Sequence, residues 1–164
     1  MSDQIDVLSG LQPGSELYNI RRERMDFVEG TEQCRQTVLR PKHGFDLTHA
    51  MRAALAARMA RLIGHEPLAA VYDDNLKDAG ADALLLTIAA TGDLPGHADH
   101  FIKAIVRHAD LVTTTPRDST RADIEKLETA GLDNPQIVAL SELIAFVNYE
   151  ARVLKGLEVL GDIA

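Results

Sequence analysis

Residues 133–160 read DNPQIVALSELIAFVNYEARVLKGLEVL. Asp133-Asn134-Pro135 is a helix start: polar capping residues, then a proline whose fixed φ and missing N–H suit a first turn. From Gln136 to Leu160 the apolar residues Ile137, Val138, Leu140, Ile144, Phe146, Val147, Val153, Leu154 and Leu157 cover much of the helical circumference. A helix that apolar on several sides belongs inside a domain or in a subunit interface. Asn148 and Arg152 stand four residues apart within it and so share a face. A buried guanidinium needs carboxylate or carbonyl partners, and Glu142 and Glu150 are candidates on the same helix. The pair reads as a structural contact or, alternatively, as part of a ligand site.

Upstream, the punctuation marks further helices. Thr120-Arg121-Ala122-Asp123 has the form of a capping box with Asp in place of Glu or Gln, and Gly131 ends the short helix it opens. Phe101, Ile102, Ile105, Val106, Ala109 and Val112 mark an amphipathic helix that stops before Pro116. Residues 82–91 are a helix or a buried turn of one, too short to assign by period, and Asp93-Leu94-Pro95-Gly96 is a break. Pro67 opens a helix through Ala69, Val71, Tyr72 and Leu76 that ends at Gly80. Before it, Asp46 or Thr48 caps a helix whose positions Leu47, Ala50, Met51, Ala54, Leu55, Met59, Leu62 and Ile63 repeat with the helical period, with Gly64 at its end. A polar helix is expected from Met25 to Leu39, weakened by Gly30 and stopped by Pro41 and Gly44. A shorter one runs from Ser15 to Arg24 after the Pro13-Gly14 turn. Aromatics are only 4% of the chain and β-branched alternation is almost absent. The reading is all-α: one domain over residues 1–164, with a helical extension over 1–45 and a core over 46–160.

Charge narrows the partners. Asp and Glu number 25 against 17 Lys and Arg, a net charge of −8, which disfavours a polyanionic nucleic acid. The opening Met-Ser-Asp-Gln-Ile-Asp lacks the basic and apolar regions of a signal peptide. The strongly apolar run from Ala83 to Ala90 is broken by Thr87 and falls well short of the ~20 residues a membrane span needs. A soluble, cytoplasmic protein with no membrane partner is the expectation. The one cysteine, Cys34, can form no internal disulfide. It lies among Glu32, Gln33 and Arg35, and one neighbouring arginine is little activation for a thiol, so an inert cysteine is expected.

The histidines suggest no metal. His97 and His100 would share a helix face near Asp99, His108 and Asp110, but nothing fixes a third ligand of a zinc site. His65-Glu66 begins like a zincin motif, yet Ala69 stands where the second histidine belongs and Pro67 intervenes. No metal and no cofactor are expected. Tyr72-Asp73-Asp74-Asn75 is the most polar patch beside an apolar helix face. It is either a hydrogen-bonding site that includes Asp73 or a solvated face on which Asp73 pairs with Lys77.

The run Ala130-Gly131-Leu132-Asp133-Asn134-Pro135-Gln136-Ile137-Val138, continuing to Phe146-Val147-Asn148-Tyr149-Glu150-Ala151-Arg152-Val153, resembles the C-terminal half of the carboxymuconolactone decarboxylase-like superfamily. In its peroxidase-related, alkylhydroperoxidase D-like (AhpD-like) members a Gly-Leu turn leads into a long apolar helix with an F-x-N-x-x-x-R pattern, matched here by Phe146, Asn148 and Arg152. Gly10-Leu11-Gln12-Pro13-Gly14-Ser15 resembles the opening of a subgroup called CMD-domain proteins. The similarity covers residues 40–160. It implies an AhpD-like bundle of packed helical hairpins whose core is completed by oligomerisation into dimers, trimers or hexamers.

Redox-active members of that superfamily carry a C-x-x-C at a helix start, a glutamate upstream and a histidine downstream. The helix N-terminus and a base lower the first thiol's pKa, and the second thiol resolves the sulfenate. Setting Ile63-Gly64 on the residues before the first cysteine puts His65 at the first thiol and Leu68 at the second. Tyr72 then falls near the histidine and Ala53 near the glutamate. No register of this chain supplies a C-x-x-C, so the dithiol route has no residues to run on. The resemblance therefore implies a non-redox member, a homo-oligomer that binds a small organic molecule or a partner protein, with Asp73, Asn148 and Arg152 as ligand-binding candidates. One alternative is a thiol-free acid/base enzyme, decarboxylase- or isomerase-like. His65 would be its catalytic acid or base, being near neutrality when unperturbed, and Tyr72 the hydrogen-bond donor. A further alternative is a structural subunit in a heteromer with an active relative.

Overall fold

Alanine lets helix axes approach closely, and the segment richest in it becomes the centre of the molecule. A computed structural model describes residues 3–163, and among these every regular element is helical. The helices are α1 (Gln4–Leu8), α2 (Glu16–Arg22), α3 (Met25–Leu39), α4 (His49–Leu62), α5 (Glu66–Ala79), α6 (Ala83–Ala89), α7 (His100–Thr114), α8 (Arg121–Thr129) and α9 (Asn134–Ile163). A 3-10 turn at Pro116–Asp118 links α7 to α8. In α4, Ala53, Ala54, Ala56, Ala57 and Ala60 are all buried, and the helix touches α3, α5, α6, α7 and α9.

The local chemistry accounts for the boundaries. Thr48 accepts the Met51 N–H at 3.1 Å to start α4, Asp82 that of Leu85 at 2.8 Å to start α6, and Asp99 that of Phe101 at 2.9 Å to start α7. Thr120 and Asp123 form a reciprocal capping box for α8. Gly64 and Gly80, at φ +81° and +91°, take the left-handed conformation that ends α4 and α5 and that a side chain would strain. Asp46 caps nothing. It sits at φ +60° and accepts from Gln136 Nε2 at 3.2 Å, tying the start of α9 to the loop before α4.

Residues 136–160 form one continuous helix within α9, of 30 residues and so about 45 Å long. Its burial is less complete than the pattern suggests. Val138, Glu142, Ala145 and Tyr149, spaced by four, three and four, form an exposed stripe along one side. The helix enclosed on every side is α4, whose arginines disguise it. Arg52 donates to the carbonyls of Leu47, Val38 and Gly44 at 3.0, 2.8 and 2.9 Å. Arg58 grips Asp110 of α7 in a two-pronged contact at 2.6 and 2.7 Å. Each guanidinium is thus paired internally, which is what permits its burial.

The N-terminal helices join the same apolar cluster, through Ile5 of α1 and Val38 and Leu39 of α3. α1 is held to α2 by charge: the Asp6 carboxylate has no exposed surface and pairs with both Arg21 and Arg22. Burial alone would raise the Asp6 carboxyl, but the hydrogen bonds from Arg22, the Asp3 backbone and Arg21 outweigh it and hold the group below its ordinary value.

Candidate functional site

α3 and α9 pack only partly along their length, and a cleft of about 800 Å3 opens between them. Phe27, Phe146 and Tyr149 contribute its aromatic walls, and Asp26, Thr31, Gln33, Cys34, Thr37 and Glu142 its polar side chains. Gly30 leaves the α3 side open, since a Cβ there would meet nothing within 4 Å. Thr31 Oγ1 and the Tyr149 hydroxyl lie 3.0 Å apart and join the two helices by a hydrogen bond. Mostly apolar walls and this volume are ordinary attributes of a small-molecule site.

Behind the cleft is a buried polar group drawn from three helices. Glu150 of α9 is fully enclosed, forms an ion pair with Arg35 of α3 and accepts a hydrogen bond from the Tyr72 hydroxyl of α5. Burial raises the Glu150 carboxyl above its ordinary value, although Arg35 and Tyr72 pull the other way. Burial and the adjacent Glu150 charge push the Tyr72 phenol well above its usual value, so it remains a hydrogen-bond donor at neutral pH. The Arg35 guanidinium lies over the Phe146 ring, 5.7 Å from its centre, and that ring is part of the cleft wall.

Cys34 faces the cleft, at an exposed position. Burial of its sulfur and the negative charge of Glu142 both push the thiol up. That is the reverse of the electropositive surroundings that make a thiolate.

The residues singled out from sequence fall in separate places. His65 is the N-cap of α5: its Nδ1 accepts the Leu68 N–H at 3.1 Å, and its Nε2 points at the Glu158 carboxylate 3.1 Å away. Neither His65 nor Tyr72 lines the cleft. Asp73 pairs with Arg61, with one contact at 3.1 Å, instead of with Lys77, which goes to Asp74 at 2.8 Å. Arg61 reaches it from α4 while donating to the Ala89 carbonyl at 2.8 Å, a tertiary contact that outweighs a local pair on an exposed face. Asn148 and Arg152 do share a face. Asn148 Nδ2 donates to Thr113 Oγ1 at 3.2 Å, and Arg152 Nη1 donates to the carbonyl and side-chain oxygens of Asn148 at 2.9 and 3.0 Å. Arg152 is exposed and takes neither Glu142 nor Glu150. Glu150 is two positions away and projects from a different side of the helix.

Arg35 and Thr31 are absent from the sequence-derived candidates, and Glu150 enters them only as a partner for Arg152, a pairing that does not form. A signal exists for the first two: Val28, Thr31, Arg35 and Val38 are spaced by three, four and three, the buried face of α3. Its polar members made the helix read as solvated. Among the described residues, no group of three or more His, Cys, Asp or Glu side chains is placed to hold a metal ion. No described helix is long and apolar enough to cross a membrane.

No family model and no curated protein matches the chain. Among solved structures, the fold is similar to that of an uncharacterized peroxidase-related protein from Silicibacter sp. TM1040. The two superpose with a TM-score of 0.57 at 13% sequence identity, over 80% of this chain and 68% of the other.

Proposed function

We propose that this chain is a non-redox helical binding protein of the AhpD-like kind, which takes a small, largely apolar organic molecule into the cleft between α3 and α9. The observation that carries this reading is the cleft itself, about 800 Å3 in volume and walled by Phe27, Phe146 and Tyr149. The non-redox part rests on chemistry. One cysteine cannot both attack a peroxide and resolve the sulfenate, and Glu142 beside Cys34 disfavours the thiolate that attack requires.

The acid/base alternative is less well supported. His65 uses its Nδ1 as a helix cap and Tyr72 spends its proton on Glu150, so neither is free for a substrate in this arrangement. Titration with the neutral dye Nile red tests the binding reading. Saturable one-to-one emission that Ala145→Trp abolishes is expected, and unchanged emission in that variant would overturn it. Cumene hydroperoxide with dithiothreitol tests the non-redox reading: turnover that Cys34→Ser removes would refute it.

The exposed stripe favours a second reading of the same face. Val138, Ala145 and Tyr149 on α9, with Phe27 on α3, present apolar surface to solvent beside the cleft, and a second copy of the chain would cover it. Light scattering after size exclusion measures this. A dimer or larger closed assembly that Val138→Glu dissociates is the expected result.

A further inference from the structure

α7 and α8 enclose a second concavity, of about 410 Å3, on a different part of the molecule from the cleft. Its walls carry His100, Lys103, Arg107 and Lys126 against a single carboxylate, Asp123, with the half-buried Ala104 and Ala130 as apolar surface. Three permanent cations face one anion there, in a chain whose net charge is −8. Most of the surface therefore repels an anion and this hollow attracts one.

The arrangement leaves the excess charge in place. Arg107 Nη2, at 2.8 Å, and Lys126 Nζ, at 3.1 Å, donate to the same oxygen of Asp123, which brings two cations from different helices side by side. The other oxygen of Asp123 is taken by the Thr120 N–H at 3.0 Å and hydroxyl at 2.8 Å, the capping box of α8. Asp123 is thus a positioning residue already engaged on both sides. Lys103 donates to the neutral Gly96 carbonyl at 2.5 Å, which fixes its place without cancelling its charge. Only one nitrogen of Arg107 is committed to Asp123, and the rest of its planar fork suits an oxyanion.

We propose that this pocket binds a small organic oxyanion, a carboxylate or a phosphate monoester on a short apolar body, gripped by Arg107, Lys126 and Lys103, with Ala104 and Ala130 against the apolar part.

Amide chemical shifts of the full isotope-labelled chain test this, using phenyl phosphate, benzoate, inorganic phosphate and benzyl alcohol at constant ionic strength. Saturable shifts around Lys103, Arg107 and Lys126 are expected with phenyl phosphate, benzoate or both, and the tighter of the two identifies the head group. Arg107→Gln should weaken binding about tenfold, as loss of a charge-assisted hydrogen bond does. Arg121→Gln removes an exposed α8 cation outside the pocket, paired only with Glu125, and should change binding less than about twofold. Lys103→Gln, whose ammonium touches only a carbonyl, serves if Arg107→Gln loses its fold by circular dichroism. The proposal fails if no probe saturates, if benzyl alcohol binds as well as the anions, or if the pocket variants and Arg121→Gln weaken binding equally. Inorganic phosphate binding as tightly as phenyl phosphate would overturn the organic part.

Discussion

The Tyr72 hydroxyl donates to the Glu150 carboxylate across the α5–α9 boundary, where neither side chain reaches solvent. Arg35 reaches the same carboxylate from α3, so three helices meet at one buried charge pair. A buried pair adds little stability over a hydrophobic replacement, but removing one partner strands the other.

Glu150→Gln should accordingly lose about 3 kcal/mol, because it leaves the enclosed Arg35 cation with only the more exposed Glu32, 3.3 Å from its Nε, as counter-charge. Tyr72→Phe, which deletes only one hydrogen bond to the carboxylate, should lose about 1–3 kcal/mol. The triple variant Arg35→Met, Tyr72→Phe, Glu150→Leu should recover most of the loss. Urea denaturation followed by far-ultraviolet circular dichroism measures all three.

Gly30 lies in the interior of α3 and beside open space. Gly30→Ala should stabilise the protein by about 0.5–1 kcal/mol by restricting the unfolded chain and favouring the helix. Gly30→Leu should keep much of that gain while filling the cleft, and so lose Nile red binding. Melting temperature and dye titration on the same samples separate the two effects.

His108 is buried on α7, and that burial lowers the proton affinity of its imidazole, with Asp123 and Arg107 acting in opposite directions nearby. The unfolded chain therefore takes up this proton first as the pH drops. Stability from His108 is fully present above its ordinary value of about 6.5 and declines below it, towards the lower pKa of the folded state. His108→Leu should flatten the dependence of unfolding free energy on pH below the ordinary imidazole value of about 6.5 relative to the parent, measured by urea denaturation at each pH.

Arg52→Lys should cost about 2 kcal/mol despite conserving the charge. A single ammonium cannot span the carbonyls of Val38, Gly44 and Leu47 that the guanidinium joins. Thermal unfolding reads the loss, and hydrogen exchange should quicken first in residues 40–48.

Much of the fold was legible because helix boundaries are written in local chemistry. Ser15, Thr48, Pro67, Gly64, Gly80 and Thr120 each mark an end by themselves. α1 was not anticipated, since its capping pair Asp3 and Asp6 looks like an acidic tail until Arg21 and Arg22 are seen against it. The centrality of α4 was hidden by its composition. Alanines carry a weak hydrophobic signal, and Arg52 and Arg58 look like solvent-facing residues. The site was less legible than the fold. Tyr72 drew notice by its place in a family pattern, but its partner lies 78 residues away, and no local spacing encodes such a pair. The sparse cationic surroundings of Cys34 predict an inert thiol; burial and Glu142, across the cleft, push that thiol up, and Glu142 is a neighbour that no local spacing reveals.

The three carbonyls on Arg52 have a mechanical consequence for the neighbouring helix. They rivet the far end of α3 and the connector beyond it to the molecule's centre, whereas Arg24, at the near end, has no side-chain cap. Thr31 and Arg35 pin the middle of the same wall to α9, so its outermost turn, around Phe27, is the part with the fewest ties.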